Sequence, residues 1–328
     1  MTNQPRTDLI KQIEQARSSR LIAYITGDRQ PFATKIADDI IPIVAQHLEK
    51  IGKQKLISLF LYTRGGDMIA PIRLIKLIRS YAQQVEVIIP YRAHSAGTLI
   101  AIGADKIVMG PLGELSPVDP STGHPFNPKN PNNQTQGMEI SVEDLNSYFL
   151  FAKERAGVKD EQMVEIYKAL VEKIHPLAIG NIYRAARMAR QIVEKLLLMH
   201  LKKNHDQEQI KKICNALTQD ICIHGYPITR DEALDLGLSI ENSDEKLNPQ
   251  IWDLYENYAK IMLLNQPFNP VQELQAEEVK KIQYVGAAIE SATLNHEFIF
   301  SGHIRKLIKD NQATIDVNIE SSHWKIIA

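Results

Sequence analysis

The sequence predicts an α/β fold in which repeated βαβ units build a parallel sheet. Short apolar segments alternate with amphipathic ones at intervals of about 30 residues, which is the spacing of right-handed βαβ units. Residues 55–62 are apolar at nearly every position, as expected of a strand covered on both faces. Turns rich in glycine and other small residues follow two of these segments directly. Such sheets bind ligands beyond the carboxyl ends of their strands, so we expect a functional rim there.

Hydrophobic periodicity places the elements of this core. Continuous apolar runs predict strands at residues 21–26, 55–62, 85–90 and 106–109. Apolar stripes at helical spacing predict helices at residues 7–17, 35–51 and 69–78, and a further helix that begins near residue 95. Strand and helix therefore alternate from residue 7 to residue 109.

Two changes of pattern follow this core. Residues 112–136 are aperiodic and rich in Pro, Asn and Gly, which predicts a long loop. Helices are then predicted from residue 141 and at residues 158–173, 177–202, 207–217, 230–236 and 252–264. Alternating segments near residues 284–291, 296–300 and 314–319 predict a small antiparallel β appendage. We therefore predict a main domain with a helical extension at residues 1–245, and a C-terminal helix with the appendage at residues 246–328.

Composition excludes several classes of function. The 38 basic and 39 acidic side chains give a net charge of -1, which offers no electrostatic basis for binding nucleic acid. Cys214 and Cys222 are too few for a disulfide framework, and they lack the spacing of metal ligands. No run approaches the ~18 apolar residues of a membrane span, and the polar start shows no secretory signal. We expect a cytoplasmic protein that uses neither a metal nor a cofactor.

Two turns on the predicted rim carry the candidate chemistry. Ser95 lies between an apolar run and a stretch of small helix formers, where a serine projects its hydroxyl beside the N–H groups of the following helix. Gly65 and Gly66 follow a neighbouring strand, and their bare backbone lets N–H groups approach a substrate carbonyl. The ordinary alternatives are a helix N-cap for Ser95 and a plain tight turn for the glycines.

Several blocks of this sequence, in order, resemble the Clp-fold serine peptidases. They are Gly65-Gly66-Asp67, residues 94–98 and residues 103–109, with later similar blocks at residues 115–120, 175–181 and 224–229. The resemblance covers roughly residues 20–241 and is to the serine dehydrogenase proteinase family, related to signal peptide peptidase A and ClpP. It implies a Clp/crotonase-like fold and peptide-bond hydrolysis through a Ser95 acyl-enzyme. It also implies oxyanion donors at the glycine turn and at Ala96, a protein or peptide substrate, and an assembly of three or six copies.

The same resemblance leaves the general base open. In ClpP a histidine follows the serine by about 25 residues, but here that neighbourhood contains Asp119 between two prolines and no histidine in register. Relatives of signal peptide peptidase A use a lysine, which implies Lys153, since the aromatic and apolar residues before it would desolvate its amine. His175 is an alternative base, and Asp119 would orient the base or line the cleft. The competing interpretations are an exposed helix lysine for Lys153 and a packed or capping histidine for His175. His224 is expected to be structural.

Two other functions compete with the peptidase. A crotonase-like acyl-CoA enzyme would use the glycine turns to hold a thioester enolate. A non-catalytic scaffold would keep the fold without the base. The apolar stripe at residues 177–201 fits either a surface for self-association or a core helix.

Overall fold

The structure is a computed structural model that describes residues 5–130, 133–202, 206–221, 223, 225–243, 245–309 and 312–327. Cys222 and His224 lie outside the described residues. The chain forms two compact units, the first comprising Met1–Leu115 and Pro227–Ala328 and the second Ser116–Tyr226.

The first part of the first unit alternates strands and helices. Its helices are α1 (Arg6–Arg17), α2 (Ile40–Ile51), α3 (Ala70–Arg79) and α4 (Ala96–Ile102). Its strands are β1 (Arg20–Thr26), β2 (Gln54–Tyr62), β3 (Ala82–Ile89), β4 (Arg92–Ala93), β5 (Lys106–Met109) and β6 (Glu114–Leu115).

The second unit is mainly helical. Its strands are β7 (Ser121–Thr122), β8 (Lys129–Asn130), β9 (Asn133–Gly137) and β10 (Ile140–Ser141). Its helices are α5 (Val142–Glu154), α6 (Met163–Val171), α7 (Pro176–Leu197) and α8 (Gln207–Asn215), with a 3-10 turn at Asp160–Gln162 and a π-helical turn at Ala216–Asp220. The loop predicted at residues 112–136 therefore contains short paired strands.

The chain then returns to the first unit. It adds β11 (Ile228–Thr229), α9 (Arg230–Asp235), β12 (Ile240–Asn242), α10 (Leu247–Ile261), α11 (Pro270–Leu274), β13 (Val279–Ser291), β14 (Asn295–Lys309) and β15 (Gln312–Ile326).

In the described part of the chain, eight strands form one sheet in the order β12-β5-β3-β2-β1-β13-β14-β15. The five strands from β12 to β1 are parallel. Helices α1 and α10 pack together through Leu9, Ile13 and Leu254, in a core cluster that includes Phe60 and Ile88 of the sheet. The α/β class and its repeated βαβ units are confirmed.

The C-terminal strands differ from a separate small appendage. They are antiparallel as predicted, but they are 13, 15 and 15 residues long and continue the main sheet. β13 pairs with β1, with Ile22 opposite Ser291 and Thr26 opposite Ala287. Residues 246–328 consequently belong to the same compact unit as the parallel strands, whereas the predicted boundary lies between residues 245 and 246.

Helix α7 of the second unit contains the apolar stripe that the sequence offered for self-association. Its residues Ile182, Ala189, Val193 and Leu197 are all at least 95% buried within the chain. The stripe is therefore a core feature, which was the competing interpretation. Among the described residues, no helix is long and apolar enough to cross a membrane.

Candidate active site

Ser95 occupies a sharp turn between β4 and α4. Its backbone has φ +51° and ψ -108°, a region that a non-glycine residue seldom adopts. Gly97 N–H donates to His94 O at 2.7 Å, which tightens the turn, and within the described residues the Ser95 hydroxyl makes no N-cap hydrogen bond to α4. A strained serine at a strand-to-helix turn is the geometry of a nucleophile elbow rather than of an ordinary cap.

The glycine turn after β2 lies directly against Ser95. A Cβ atom on Gly65 would stand 2.9 Å from Ser95 Cβ and 3.4 Å from Ser95 Oγ. A Cβ atom on Gly66 would stand 2.2 Å from the carbonyl oxygen of Ile36. Both glycines also have positive φ, at +112° and +155°. The structure thus brings Gly65 beside the serine, and no larger residue fits at either position without displacing backbone.

The amide groups of the turn point to different partners. Gly65 N–H donates to Thr63 Oγ1 at 3.0 Å, and that oxygen also accepts from Thr26 Oγ1 at 2.7 Å. Among the described residues, the N–H groups of Gly66 and Ala96 donate to no protein acceptor. Of the three amides that the sequence proposed as oxyanion donors, those of Gly66 and Ala96 are therefore available to a ligand.

Thr63 is a residue of the site that sequence reasoning missed. It is fully buried at the end of β2, and its backbone bonds both Arg92 O at 2.9 Å and His94 N–H at 3.1 Å. Its methyl group faces Gly97, where an added Cβ would lie 2.5 Å from Thr63 Cγ2. Thr63 thus links the glycine turn to the elbow. A threonine two residues before a pair of glycines is the available signal, but nothing in the pattern distinguishes it from an ordinary turn residue.

A network of charges lies beside the elbow. Glu114 Oε1 contacts His94 Nε2 at 3.0 Å and Arg92 Nε at 3.1 Å. Arg64, which precedes the glycine turn, donates a hydrogen bond from Nε to Asp28 Oδ2 at 2.8 Å. Burial lowers the pKa of His94, against the opposing effect of Glu114. Glu114 thus favours the protonated imidazole of His94, whereas burial favours the neutral one and has the larger effect on its pKa.

Lys153 lies in the second unit as an exposed residue of α5. Its Nζ pairs with Asp160 Oδ1 at 2.8 Å, and its side chain is 57% exposed. The hydrogen bond and the charge of Asp160 raise the pKa of Lys153. A lysine base requires the opposite shift, and the aromatic residue Phe151 that was expected to desolvate the amine is itself 64% exposed.

His175 and Asp119 also belong to the second unit. His175 is the N-cap of α7, where its Nδ1 accepts the Leu177 N–H at 3.2 Å, and its ring stacks on Phe126 with centroids 4.1 Å apart. These contacts match the capping and packing interpretation of His175. Asp119 is 9% exposed and follows Val118, whose N–H donates to Leu217 O at 2.7 Å.

Comparison with known proteins bears on the part of the chain that contains the elbow. A family described as ClpP-like SDH-type serine proteinases matches residues 1–132. The resemblance to the serine dehydrogenase proteinase family is confirmed over this range. The matched range includes Gly65, Gly66, Ser95 and Ala96 and ends before Lys153. It supports a serine peptidase, and hence a hydrolase, at the level of the family.

Relatives and solved structures extend the comparison along the chain. Two uncharacterized proteins of Methanocaldococcus jannaschii are each 26% identical, over 261 and 265 residues, covering 78% of this chain and 79% and 77% of the relatives. A variant of the membrane-bound stomatin-specific protease 1510-N is 17% identical, with a TM-score of 0.38 over 74% of this chain and 86% of that one. ClpP1 from Listeria monocytogenes is 14% identical, with a TM-score of 0.35 over 71% of this chain and 98% of that one.

Proposed function

We propose that the protein is a serine endopeptidase that acts through Ser95. The observation that carries this proposal is the strained Ser95 turn with the glycine turn packed against it. The match of this segment to ClpP-like serine proteinases supports the same reaction. The substrate is a protein or peptide, and the location is the cytoplasm.

In the proposed reaction, Ser95 Oγ attacks the carbonyl carbon of the scissile peptide bond, and its proton passes to a general base. The N–H groups of Gly66 and Ala96 stabilise the resulting oxyanion, each contributing about 3 kcal/mol to the transition state. The C–N bond then breaks as the base returns the proton to the leaving amine. Water hydrolyses the Ser95 ester and restores the hydroxyl.

We propose Lys153 as that base, on the resemblance to the lysine-dependent relatives. The ion pair with Asp160 sets a condition, because it stabilises the ammonium form, and Lys153 accepts the Ser95 proton only as a neutral amine that has left Asp160 and given its own proton to water. His175 is the alternative base, and Asp119 would orient whichever base is used. We further propose that the protein assembles into three or six copies.

A fluorophosphonate probe tests the central step, since it forms a covalent adduct only with an activated serine. We expect the wild-type protein to be labelled, and the Ser95→Ala variant to lose all labelling while keeping its circular dichroism spectrum. Folded, assembled wild-type protein that resists the probe would instead indicate the non-catalytic scaffold, an alternative that the exposed ion pair of Lys153 favours.

Two variants of the second unit test the base. Asp160→Asn frees Lys153 and lowers its pKa, so we expect labelling near neutral pH to become severalfold faster. Lys153→Ala is expected to slow labelling at least 100-fold. The matched control is Glu165→Gln, which frees Lys168 from a similar exposed pair at 2.8 Å and should leave the rate unchanged. Wild-type rates in both Asp160→Asn and Lys153→Ala would remove Lys153 as the base.

A further inference from the structure

The outer edge of β15 has properties that natural sheets avoid on an exposed edge. β15 ends the sheet order, and within the described residues it pairs with β14 alone. Edge strands are commonly protected by shortness, proline or lysine. β15 is 15 residues long and has no proline, and its one lysine is Lys325 near its end. It exposes Ile319 and Ile326 to 37% and 59%. Such a strand is suited to pairing with another strand.

A bulge sets which side chains of β15 share a face. Ser321 lies opposite Ser301 and Ile319 opposite Gly302, so Glu320 is the extra residue. Side-chain alternation therefore reverses across Glu320. The face that points with the even-numbered residues of β14 consists of Ile315, Val317, Ile319, Ser322, Trp324 and Ile326.

This reversal makes the strand complementary to itself in one antiparallel register. When the two-fold axis passes between Glu320 and Ser321, each residue before the bulge meets a residue after it from the other copy. Val317 then lies opposite Trp324, and Asp316 lies opposite Lys325. Both members of each pair project from the same face only because of the bulge. A shift by one residue would put them on opposite faces, and a larger shift would misalign the two bulges.

We propose that β15 is the interface with a second copy of this chain, which joins the two sheets edge to edge. The contact is isologous, so each favourable pair occurs twice. On the apolar face, Val317 packs against the cluster of Phe32 and Ile304, and Trp324 packs on Phe298 with centroids 5.4 Å apart. The partner's copy of the strand extends this apolar face across the axis.

The charged face is complementary as well. Asp316 of one copy faces Lys325 of the other, where opposite charges on directly opposed strand residues are stabilising. Asp316 Oδ2 also accepts from Arg305 Nε of its own chain at 2.8 Å, so the carboxylate would lie between two cations. Near the axis, the Glu320 carboxylates of the two copies approach each other. Each contacts His303 Nδ1 of its own chain at 2.9 Å, and this contact partly offsets the repulsion between the carboxylates. This contact does not depend on the proposed peptidase activity. It requires an even number of copies, so it fits a hexamer of paired trimers and does not fit an isolated trimer.

A charge exchange tests the register. Light scattering of the full-length wild-type protein should give a mass that is an even multiple of the chain mass. Asp316→Lys and Lys325→Asp each place like charges opposite one another and should halve that mass. The Asp316→Lys/Lys325→Asp double variant restores opposite charges across the axis and should shift the mass back toward the wild-type value relative to either single variant. Because Asp316 pairs with Arg305 and Lys325 lies opposite Glu297 within each chain, circular dichroism must show that all three variants are folded. A wild-type monomer or odd-numbered assembly overturns the proposal, as do single variants that keep the wild-type mass.

A cross-link tests the same register without disturbing the charges. Asn318 and His323 are opposed across the axis, at a separation that a disulfide spans. Within one chain they are five residues apart, about 17 Å along a strand, which excludes an internal bond. Mild oxidation of the Asn318→Cys/His323→Cys variant should give a covalent dimer, whereas Asn318→Cys alone should not. A double variant that stays uncross-linked while the wild-type protein is paired overturns the proposed interface.

Discussion

Thr63 is the residue that joins the two halves of the candidate site. Its hydroxyl accepts the Gly65 N–H at 3.0 Å, whereas within the described residues the Gly66 N–H donates to no protein acceptor. Its methyl group packs where Gly97 has no side chain. A positioning role therefore belongs to both groups of this side chain, the hydroxyl and the methyl.

Removing the hydroxyl of Thr63 should misplace an oxyanion donor. We expect Thr63→Val to slow fluorophosphonate labelling at least tenfold, because Gly65 N–H loses its acceptor and the turn beside Ser95 relaxes. Thr63→Ser keeps the hydroxyl and should retain most of the rate, although it loses the methyl contact with Gly97. A wild-type rate in Thr63→Val, which keeps the methyl contact, would show that the hydroxyl has no positioning role.

Which amide points where could not be predicted from the residue types at the site. The sequence predicts a serine and two glycines near one rim, because parallel strands end on the same side of a sheet. The choice between Gly65 and Gly66 depends on a hydrogen bond from Gly65 to Thr63 and on the contact of Gly66 with Ile36. Both contacts arise from three-dimensional packing that no local pattern contains.

Among the elements, α2 and the C-terminal strands are joined by a buried chain of hydrogen bonds. His47 of α2 is fully buried, with Nδ1 2.9 Å from Ser291 Oγ and Nε2 3.0 Å from His296 Nδ1. Burial and the neighbouring His296 lower the pKa of His47 to about 4. The folded protein therefore holds His47 neutral at pH values where the unfolded chain protonates it.

The stability of this contact should depend on pH. As the pH falls from 6.5, the unfolded chain binds a proton that folded His47 refuses, so the free energy of unfolding should decrease by about 3 kcal/mol down to pH 4. In His47→Gln, the part of this decrease that His47 causes should disappear. Denaturant titrations between pH 6.5 and pH 4 would measure the free energy of unfolding of both proteins. His124→Gln, in the other compact unit, is the control and should keep the decrease. An unchanged pH dependence in His47→Gln would contradict this account.

Some observed helix and strand boundaries differ from the predicted ones because backbone pairing, rather than apolar periodicity, sets them. The helix predicted from residue 35 begins at Ile40, because Ile36 instead pairs its backbone with Gly66. The first four long strands were predicted nearly at their observed positions because their apolar runs are continuous. The C-terminal strands are much longer than the apolar segments that predicted them, because polar residues on either side of those segments continue the backbone pairing between β14 and β15.

At the scale of the whole molecule, the parallel half of the sheet follows from the alternation of strand and helix. The antiparallel half does not, because β13 pairs with β1 across more than 260 residues of sequence. The short-range patterns indicate hairpins but do not specify which edge of the sheet they join. The general base likewise depends on which distant residue the fold brings to Ser95, and local sequence patterns do not specify that residue. The outer edge of β15, in contrast, has a self-complementary register that is readable once its bulge is known.

The most direct test of the proposed function is the site at which a fluorophosphonate reacts with the folded, assembled wild-type protein. Intact-mass analysis followed by peptide mapping should find one adduct per chain, located on Ser95, and none on Ser95→Ala. An adduct on another serine, or no adduct on folded protein, would contradict the assignment of Ser95 as the nucleophile.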